Sequence, residues 1–160
     1  MQEHSFTLDA HLGKLARWLR MLGHDVTYDP QVTNTDLLED GRKQDRIIVT
    51  RDKELFQKAI KSSLNAILLK NDKIEKQLKE IASCLKISLE LNPKHCSICN
   101  GILEKAKKRS INQKVPEQSI KIYNEFWECQ NCGKIFWPGI HWKNMLKTLQ
   151  KISKSLNTNK

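Results

Sequence analysis

The first ninety residues predict an α/β fold in which a parallel sheet is flanked by helices. Short apolar runs alternate with amphipathic segments of helical spacing, in a β-α order that occurs four times. Three of the apolar runs also end on, or within two residues of, an aspartate: Asp9, Asp52 and Asp72. After residue 92 the pattern changes to two cysteine pairs, glycines and aromatic residues, which predicts a second, smaller unit.

Each element of the first unit has its own signal. Strands are expected at residues 5–9, 25–28, 46–50 and 66–70, and helices at 11–22, 36–43, 53–61 and 74–85. The first helix places apolar residues at one-face spacing and stops at Gly23, which can adopt a positive φ. The second helix is expected to begin at Asp36, with Thr35 as its N-cap.

The second unit begins after a seam at residues 86–95, where Asn92 and Pro93 mark a turn. A last helix is predicted from His141, because apolar residues recur at helical spacing from Trp142 to Ile152. We therefore expect an α/β domain at residues 1–90, a small unit with the C-terminal helix at 91–155, and a frayed tail at 156–160.

Four cysteines form two C-x-x-C pairs, Cys96 with Cys99 and Cys129 with Cys132, separated by 29 residues. Two such turns can present four thiolates to one ion, the ligand set of a structural zinc site. A redox pair or two disulfides are the alternatives. The long spacer predicts a hairpin or a helix rather than a bare loop. A closed site of this kind has no open position and would not catalyse hydrolysis. The fifth cysteine, Cys84, is expected in the core.

The strand-end aspartates predict a second kind of metal site. Parallel strands end at one edge of the sheet, so Asp9, Asp52 and Asp72 would meet there, and Asp36 would join them from a helix. Clustered carboxylates repel one another unless a divalent cation holds them. Each aspartate also has an alternative role, because Asp is common at helix caps and turns.

Charge is concentrated in the second unit. Residues 1–92 contain fifteen Lys and Arg and fourteen Asp and Glu. Residues 93–160 contain thirteen Lys and Arg but only four Asp and Glu, and the net charge of the whole chain is +10. This imbalance favours an anionic polymer such as RNA as partner; a solvated lysine-rich surface is the alternative. No apolar run is long enough for a membrane span and no signal peptide is evident, so we expect a cytoplasmic protein without a membrane partner.

Basic residues on the first helix recur every three positions, at Lys14, Arg17 and Arg20, and can form a stripe facing a phosphodiester backbone. An ordinary solvated face would show the same spacing. The Thr50 hydroxyl can hold a ligand or a phosphate oxygen. Five aromatic residues surround the second cysteine pair, and most of them are expected in the core: Phe126, Trp127, Phe136, Trp137 and Trp142.

Two long segments carry a family resemblance. Residues 8–25 and 48–55, with Thr50-Arg51-Asp52 in the second, closely resemble the Mut-7-C RNase family, and the segments 96–101 and 126–142 fit it as well. The resemblance implies a PIN-like nuclease fold with an attached zinc ribbon, which cuts RNA with a divalent metal.

Carried over by position, the resemblance implies catalytic roles for Asp9, Asp36, Asp52 and Asp72, with Mg²⁺ or Mn²⁺ held by the first three. Glu39 and Asp40 are rivals of Asp36. Arg51 would join the three basic residues of the first helix in binding RNA. The sequence therefore predicts a metal-dependent ribonuclease. The alternatives are a catalytically silent module that binds RNA or protein, and a PIN-type toxin.

Overall fold

The computed structural model describes residues 2–159, so Met1 and Lys160, which fall in the expected polar N-terminus and tail, lie outside it. Four parallel strands form the main sheet in the order β2-β1-β3-β4. They are β1 (Ser5–Leu8), β2 (Asp25–Thr27), β3 (Ile47–Thr50) and β4 (Ala66–Leu68). The expected fold class is confirmed: a parallel sheet with helices, followed by a small antiparallel sheet and a C-terminal helix.

Four helices cover the two faces of this sheet: α1 (Gly13–Met21), α2 (Asn34–Gln44), α3 (Lys53–Lys61) and α4 (Ile74–Leu85). Alternate residues of β3 show the two cores: Val49 packs with α1 and α4, whereas Ile48 packs with α2 and α3. Both faces of the sheet are thus buried, as expected for parallel strands joined by helical crossovers.

Two details of the helices differ from expectation. The N-cap of α2 is Thr33, not Thr35: its hydroxyl accepts from Asp36 N–H, and the Asp36 carboxylate accepts from Thr33 in return. This reciprocal capping box requires a three-residue spacing between the two residues. Cys84 is exposed rather than in the core, because it lies about 90° around α4 from the middle of the buried face that includes Leu78 and Ile81.

The second unit contains an antiparallel sheet of β5 (Leu103–Lys105), β6 (Trp127–Cys129) and β7 (Ile135–Phe136). The spacer between the cysteine pairs includes two short helices, α5 (Lys108–Ile111) and α6 (Glu117–Ile122). It is therefore not a bare loop, in agreement with its length. Its apolar residues Ile111, Val115 and Phe126 form a separate small core with Ile135 of β7.

The last helix, α7 (Ile140–Asn157), returns to the first unit. Leu149 and Ile152 are buried in the core that also contains α1 and α4. At the ribbon end of the helix, Trp142 stacks on Trp127 with ring centroids 5.3 Å apart. The helix continues to Asn157, so residues 156 and 157 are helical rather than frayed. No helix within residues 2–159 is both long and apolar enough to cross a bilayer.

Side chains join the two units at Val26, the central residue of the outermost strand β2. Its N–H donates to Asn100 Oδ1 at 2.9 Å, and its carbonyl accepts from the Arg20 guanidinium at 2.8 and 3.0 Å. Arg20 also donates to the carbonyls of Ser97 and Ile98, within the first cysteine turn. The position of that turn is therefore fixed against the main sheet.

Candidate functional site

A cleft lies at the carboxyl ends of β1 and β3, where the strand order reverses. The connection leaving β1 passes over one face of the sheet and the connection leaving β3 over the other, which opens a crevice between the two strand ends. This cleft, the first of two at the sheet edge, has a volume of about 290 Å³ and is lined by Asp9, His11, Leu12, Asn34, Arg51 and Asp52.

Asp9 is held in place by the end of the neighbouring strand. Its N–H donates to Val49 O at 3.1 Å, and its Oδ2 accepts from the Thr50 hydroxyl at 2.8 Å. The Thr50 Oγ1 also accepts from Asp52 N–H at 3.0 Å. Thr50 is fully buried. Its hydroxyl was expected to contact a ligand, but it instead fixes Asp9 relative to the start of α3.

Asp52 is the N-cap of α3. Its Oδ1 accepts from Glu54 N–H at 2.8 Å and from Leu55 N–H at 3.2 Å. The side chain is exposed and borders the first cleft. No hydrogen bond to Oδ2 is formed within residues 2–159. Asp9 and Asp52 thus bring two carboxylates to adjacent strand ends, each fixed by bonds to the local backbone.

The acidic residues of α2 face other partners. The Asp36 carboxylate accepts from Thr33 N–H at 3.0 Å and from the Thr33 hydroxyl at 2.7 Å, and these bonds lower its pKa. It is exposed and does not line the first cleft, whereas Asn34 does. Its rivals differ from it: Asp40 accepts from Thr7 in β1 at 3.0 Å, and Glu39 pairs with Lys43.

Asp72 lies in a second cleft, on the α1 and α4 side of the same sheet edge. This cleft measures about 280 Å³ and is lined by His11, Leu12, Lys14, Leu15, Asp72, Lys73, Ile74, Glu75 and Gln77. His11 and Leu12 border both clefts and separate Asp72 from Asp9 and Asp52. Of the four expected carboxylates, the structure therefore places Asp9 and Asp52 in the first cleft, Asp72 in the second and Asp36 in neither.

The predicted RNA-binding residues also separate into two groups. Lys14 and Arg17 are exposed on α1, and Arg51 borders the first cleft. Arg20 is only 4% exposed, and its guanidinium donates to carbonyls inside the protein. The expectation that Arg20 faces RNA is wrong. Two residues that are three apart on a helix point in directions that differ by about 60° around its axis. Arg20 is six residues after Lys14, so the two directions differ by about 120°.

The four cysteines of the second unit converge on one point. Cys96 and Cys132 have sulfurs 3.7 Å apart, and Cys99 and Cys129 have sulfurs 3.5 Å apart. All four sulfurs lie within 4.8 Å of one another, and within residues 2–159 no other set of three His, Cys, Asp or Glu side chains meets that limit. Tetrahedral zinc with bonds of about 2.3 Å would separate its sulfurs by about 3.8 Å. The quartet can hold a zinc ion.

Backbone geometry explains how each turn presents its sulfurs. The residue after the second cysteine has a positive φ in both turns, 68° at Asn100 and 75° at Gly133. Gly101 has a different role: a Cβ there would lie 2.8 Å from Cys129 Sγ, so only glycine leaves room for the quartet. The glycines that follow the two pairs are therefore not equivalent.

The electrostatics of the quartet favour a cation. Burial raises the pKa of the Cys96 thiol to about 12. Burial also raises the pKa of Cys99, but hydrogen bonds from Asn131 and from backbone N–H groups outweigh it and lower the value to about 6. Neighbouring thiols with such different values cannot all ionise near neutral pH unless a cation compensates their charge.

Two residues of the first cleft, His11 and Asn34, were not predicted as site residues. His11 follows Asp9 by two positions, and Asn34 becomes the first residue of α2 once Thr33 is recognised as the cap. The capping-box pattern Thr33-x-x-Asp36 was the available signal for Asn34. For His11 the signal was only its closeness to Asp9 in the sequence.

Comparison with known proteins assigns this architecture to one family. A family model described as Mut7-C RNAse domain matches residues 4–149, which span the clefts, the cysteine quartet and most of α7. No curated protein and no solved structure gives a match. The family match supports a ribonuclease-type function, with RNA as the substrate.

Proposed function

The chain belongs to the Mut7-C RNAse domain family, and on that premise we propose that it is a ribonuclease that cleaves RNA phosphodiester bonds at a divalent-metal site in the first cleft. One observation carries the proposal. Asp9 and Asp52 follow adjacent parallel strands at the point where the strand order reverses, and the buried Thr50 hydroxyl joins them.

The donor set of the first cleft fits Mg²⁺ or Mn²⁺. Mg²⁺ commonly takes one or two protein carboxylates, and waters and substrate phosphates complete its octahedral shell. Asp9 and Asp52 supply the two carboxylates. Asp36, predicted as a third ligand, joins them only if its capping box with Thr33 opens. When bound, such an ion lowers the pKa of a coordinated water and neutralises charge that develops on the phosphate.

The surrounding residues position the substrate. Arg51 borders the cleft and can donate two parallel hydrogen bonds to a phosphate, which an exposed guanidinium does well. Lys14 and Arg17, both exposed on α1, contact the RNA backbone further along the strand. Thr50 keeps the Asp9 carboxylate in one orientation, so Asp9 does not have to be reordered when RNA binds.

The cysteine quartet holds a structural zinc ion in this proposal. Four thiolates complete a tetrahedral shell, so no position remains for a water or a substrate. The unit that it organises carries a net charge of +9, which favours a role in holding RNA. We keep the expected division at about residue 90, with α7 connecting the ribbon to the core of the first unit.

A non-catalytic module that binds RNA or protein is the second candidate. The observation that favours it is that the carboxylates already have structural roles: Asp52 caps α3, Asp36 completes the capping box of α2, and both Asp9 oxygens accept hydrogen bonds. Such bonds would persist in a protein that had lost its activity.

Cleavage of labelled RNA by the full chain, with Mn²⁺ or with EDTA, separates the two candidates. We expect cleavage with Mn²⁺, none with EDTA, and a loss of at least about 100-fold in Asp9→Asn and Asp52→Asn. Asparagine is a good N-cap, so Asp52→Asn should keep α3 intact. Asp45→Asn is the matched control, because Asp45 has the left-handed φ that asparagine tolerates.

Circular dichroism of each variant would show that the fold persists. Binding without cleavage by the wild-type protein would favour the silent module. Cleavage at the wild-type rate by both Asp9→Asn and Asp52→Asn would exclude the first cleft as the catalytic site.

A further inference from the structure

The second cleft adjoins the first, and of its lining residues only Lys14 has a role in the function proposed above. His11 and Leu12 border both, so a strand that leaves the first cleft over these two residues enters the second. The two clefts have nearly equal volumes, about 290 and 280 Å³. Both lie at the carboxyl edge of the sheet, the first between the ends of β1 and β3 and the second on the α1 and α4 side.

We propose that the second cleft binds a nucleotide of the RNA strand next to the phosphate that is cleaved. This inference rests on the ribonuclease function proposed for the first cleft. It assigns Lys73 and Asp72 to contact with the substrate, and it makes the His11–Leu12 segment the ridge that the RNA backbone crosses.

The lining of the second cleft matches the three chemical parts of a nucleotide. Lys14 and Lys73 are exposed ammonium groups that can contact a phosphate. Asp72 and Glu75 are exposed carboxylates that can accept hydrogen bonds from a ribose 2′-hydroxyl or from base amino groups. Leu12 and Ile74, which are nearly buried, form an apolar floor against which the edge of a base can lie.

The size and the charges of the cleft support a nucleotide over a metal ion. A volume of about 280 Å³ is slightly below the range of small-molecule sites, which begins at about 300 Å³, and is far larger than a single ion needs. The two lysines balance the two carboxylates, whereas a site for a bare cation would leave its carboxylates without cationic neighbours. This explains why Asp72 lies apart from Asp9 and Asp52.

A pair of charge reversals on α4 tests the proposal. Lys73 borders the second cleft, whereas Lys76, equally exposed and three residues later, does not. The full-length protein would be titrated against a fluorescein-labelled single-stranded RNA at fixed salt, with no Mg²⁺ or Mn²⁺ added, so that cleavage is prevented and the zinc ion stays in place. We expect Lys73→Glu to weaken binding about tenfold, which corresponds to about 1.4 kcal/mol, and Lys76→Glu to weaken it less than about twofold.

A second measurement locates the contact directly. RNA carrying photoreactive 4-thiouridine would be crosslinked to the wild-type protein, and the modified peptides identified by mass spectrometry. We expect crosslinks within residues 70–79. Equal effects of Lys73→Glu and Lys76→Glu, or crosslinks that avoid this segment, would overturn the proposal.

These outcomes remain distinct from failure of the proposed function. If the wild-type protein binds RNA without added Mg²⁺ or Mn²⁺ but does not cleave it with Mn²⁺, the catalytic proposal fails, and a selective effect of Lys73→Glu still shows that the cleft binds RNA. If the wild-type protein does not bind RNA under any of these conditions, both proposals fail.

Discussion

The two candidate metal sites of this protein are built in opposite ways. The cysteine quartet is assembled by the backbone: two turns with matched positive φ bring four sulfurs within 4.8 Å of one another. The carboxylates at the sheet edge do not converge to that degree, and each is fixed by hydrogen bonds to a helix or strand end.

The difference corresponds to what each site has to do. A structural zinc ion is part of the fold, so the protein supplies all four of its ligands and its shell is closed. A catalytic Mg²⁺ ion uses water and substrate as ligands, so the protein supplies only part of the shell. A loosely shared pair of carboxylates is therefore compatible with function at the sheet edge, whereas the same looseness would abolish the zinc site.

The largest loss of stability is expected from the substitution Cys129→Ser. Binding of structural zinc contributes on the order of 10–16 kcal/mol in small zinc domains, so loss of one ligand should unfold or loosen residues 93–147 while the main sheet remains. Metal analysis should give one zinc per wild-type chain, and hydrogen exchange should show lost protection in the ribbon.

Cys84→Ser is the matched control, because Cys84 is exposed and far in sequence from the quartet. A wild-type protein without zinc, or a disulfide between Cys96 and Cys99 in reducing buffer, would contradict the prediction. If Cys129→Ser kept its zinc and its exchange protection, the two metal sites would not differ in the way described here.

The second largest effect on stability is expected from lowering the pH, through His24, which is buried near the seam between the two units. Its Nδ1 accepts from His4 N–H at 3.1 Å, and its Nε2 is buried without a partner within residues 2–159. Burial lowers the pKa of His24 from 6.5 to about 4, and His4, Glu3, His95 and Lys94 add smaller charge effects. The imidazole is therefore neutral in the folded protein.

The direction of the pH effect follows from the protonation of His24 in the folded and the unfolded states. Between pH 6.5 and pH 4, His24 is protonated in the unfolded chain but stays neutral in the folded protein. The free energy of unfolding should therefore decrease as the pH falls from about 6.5 to about 4. At about 1.4 kcal/mol per pKa unit, the loss is at most about 3 kcal/mol. Urea unfolding at several pH values measures it.

His24→Asn separates this effect from other acid-sensitive groups. Asparagine can still accept from His4 N–H but does not titrate, so the slope between pH 6.5 and 4 should flatten. Glu3, whose pKa is lowered by hydrogen bonds from Lys94 and His95, should still reduce stability below about pH 4.5. An unchanged slope in His24→Asn would contradict the assignment.

The smallest effect is expected at Thr50. Thr50→Val keeps the shape of the side chain but leaves Asp9 Oδ2 and Asp52 N–H without their shared partner. Unfolding free energy should fall by about 1–3 kcal/mol, and RNA cleavage should fall with it, because Asp9 is no longer held in one orientation.

Thr50→Ser retains the hydroxyl and should recover most of the activity. Equilibrium unfolding and cleavage rates, measured on the same preparations, test both substitutions. Full activity in Thr50→Val would show that the sheet-edge site does not depend on this orientation.

The sequence predicted the elements that depend on local patterns. The bounds of α3 and α4 agree with the apolar spacing, and the convergence of the four cysteines follows from two C-x-x-C turns. The strand-end aspartates were informative because adjacent parallel strands place Asp9 and Asp52 side by side.

Features that depend on tertiary contacts were missed. Arg20 resembles a surface residue in the sequence, yet the first cysteine turn packs over it and buries it. Asp72 was predicted to follow a strand end closely, but β4 ends at Leu68, four residues earlier, and Asp72 lines a different cleft from Asp9 and Asp52. No local pattern encodes which loop will lie between two strand ends.

The contacts of Val26 have a consequence for the behaviour of the chain at high concentration. An outermost strand with a free N–H and a free carbonyl is a template on which another molecule can add a strand. Asn100 and Arg20 block that template here, and both are positioned by the first cysteine turn. Loss of zinc would release this turn and expose the edge, so we expect the metal-free protein to aggregate through β2.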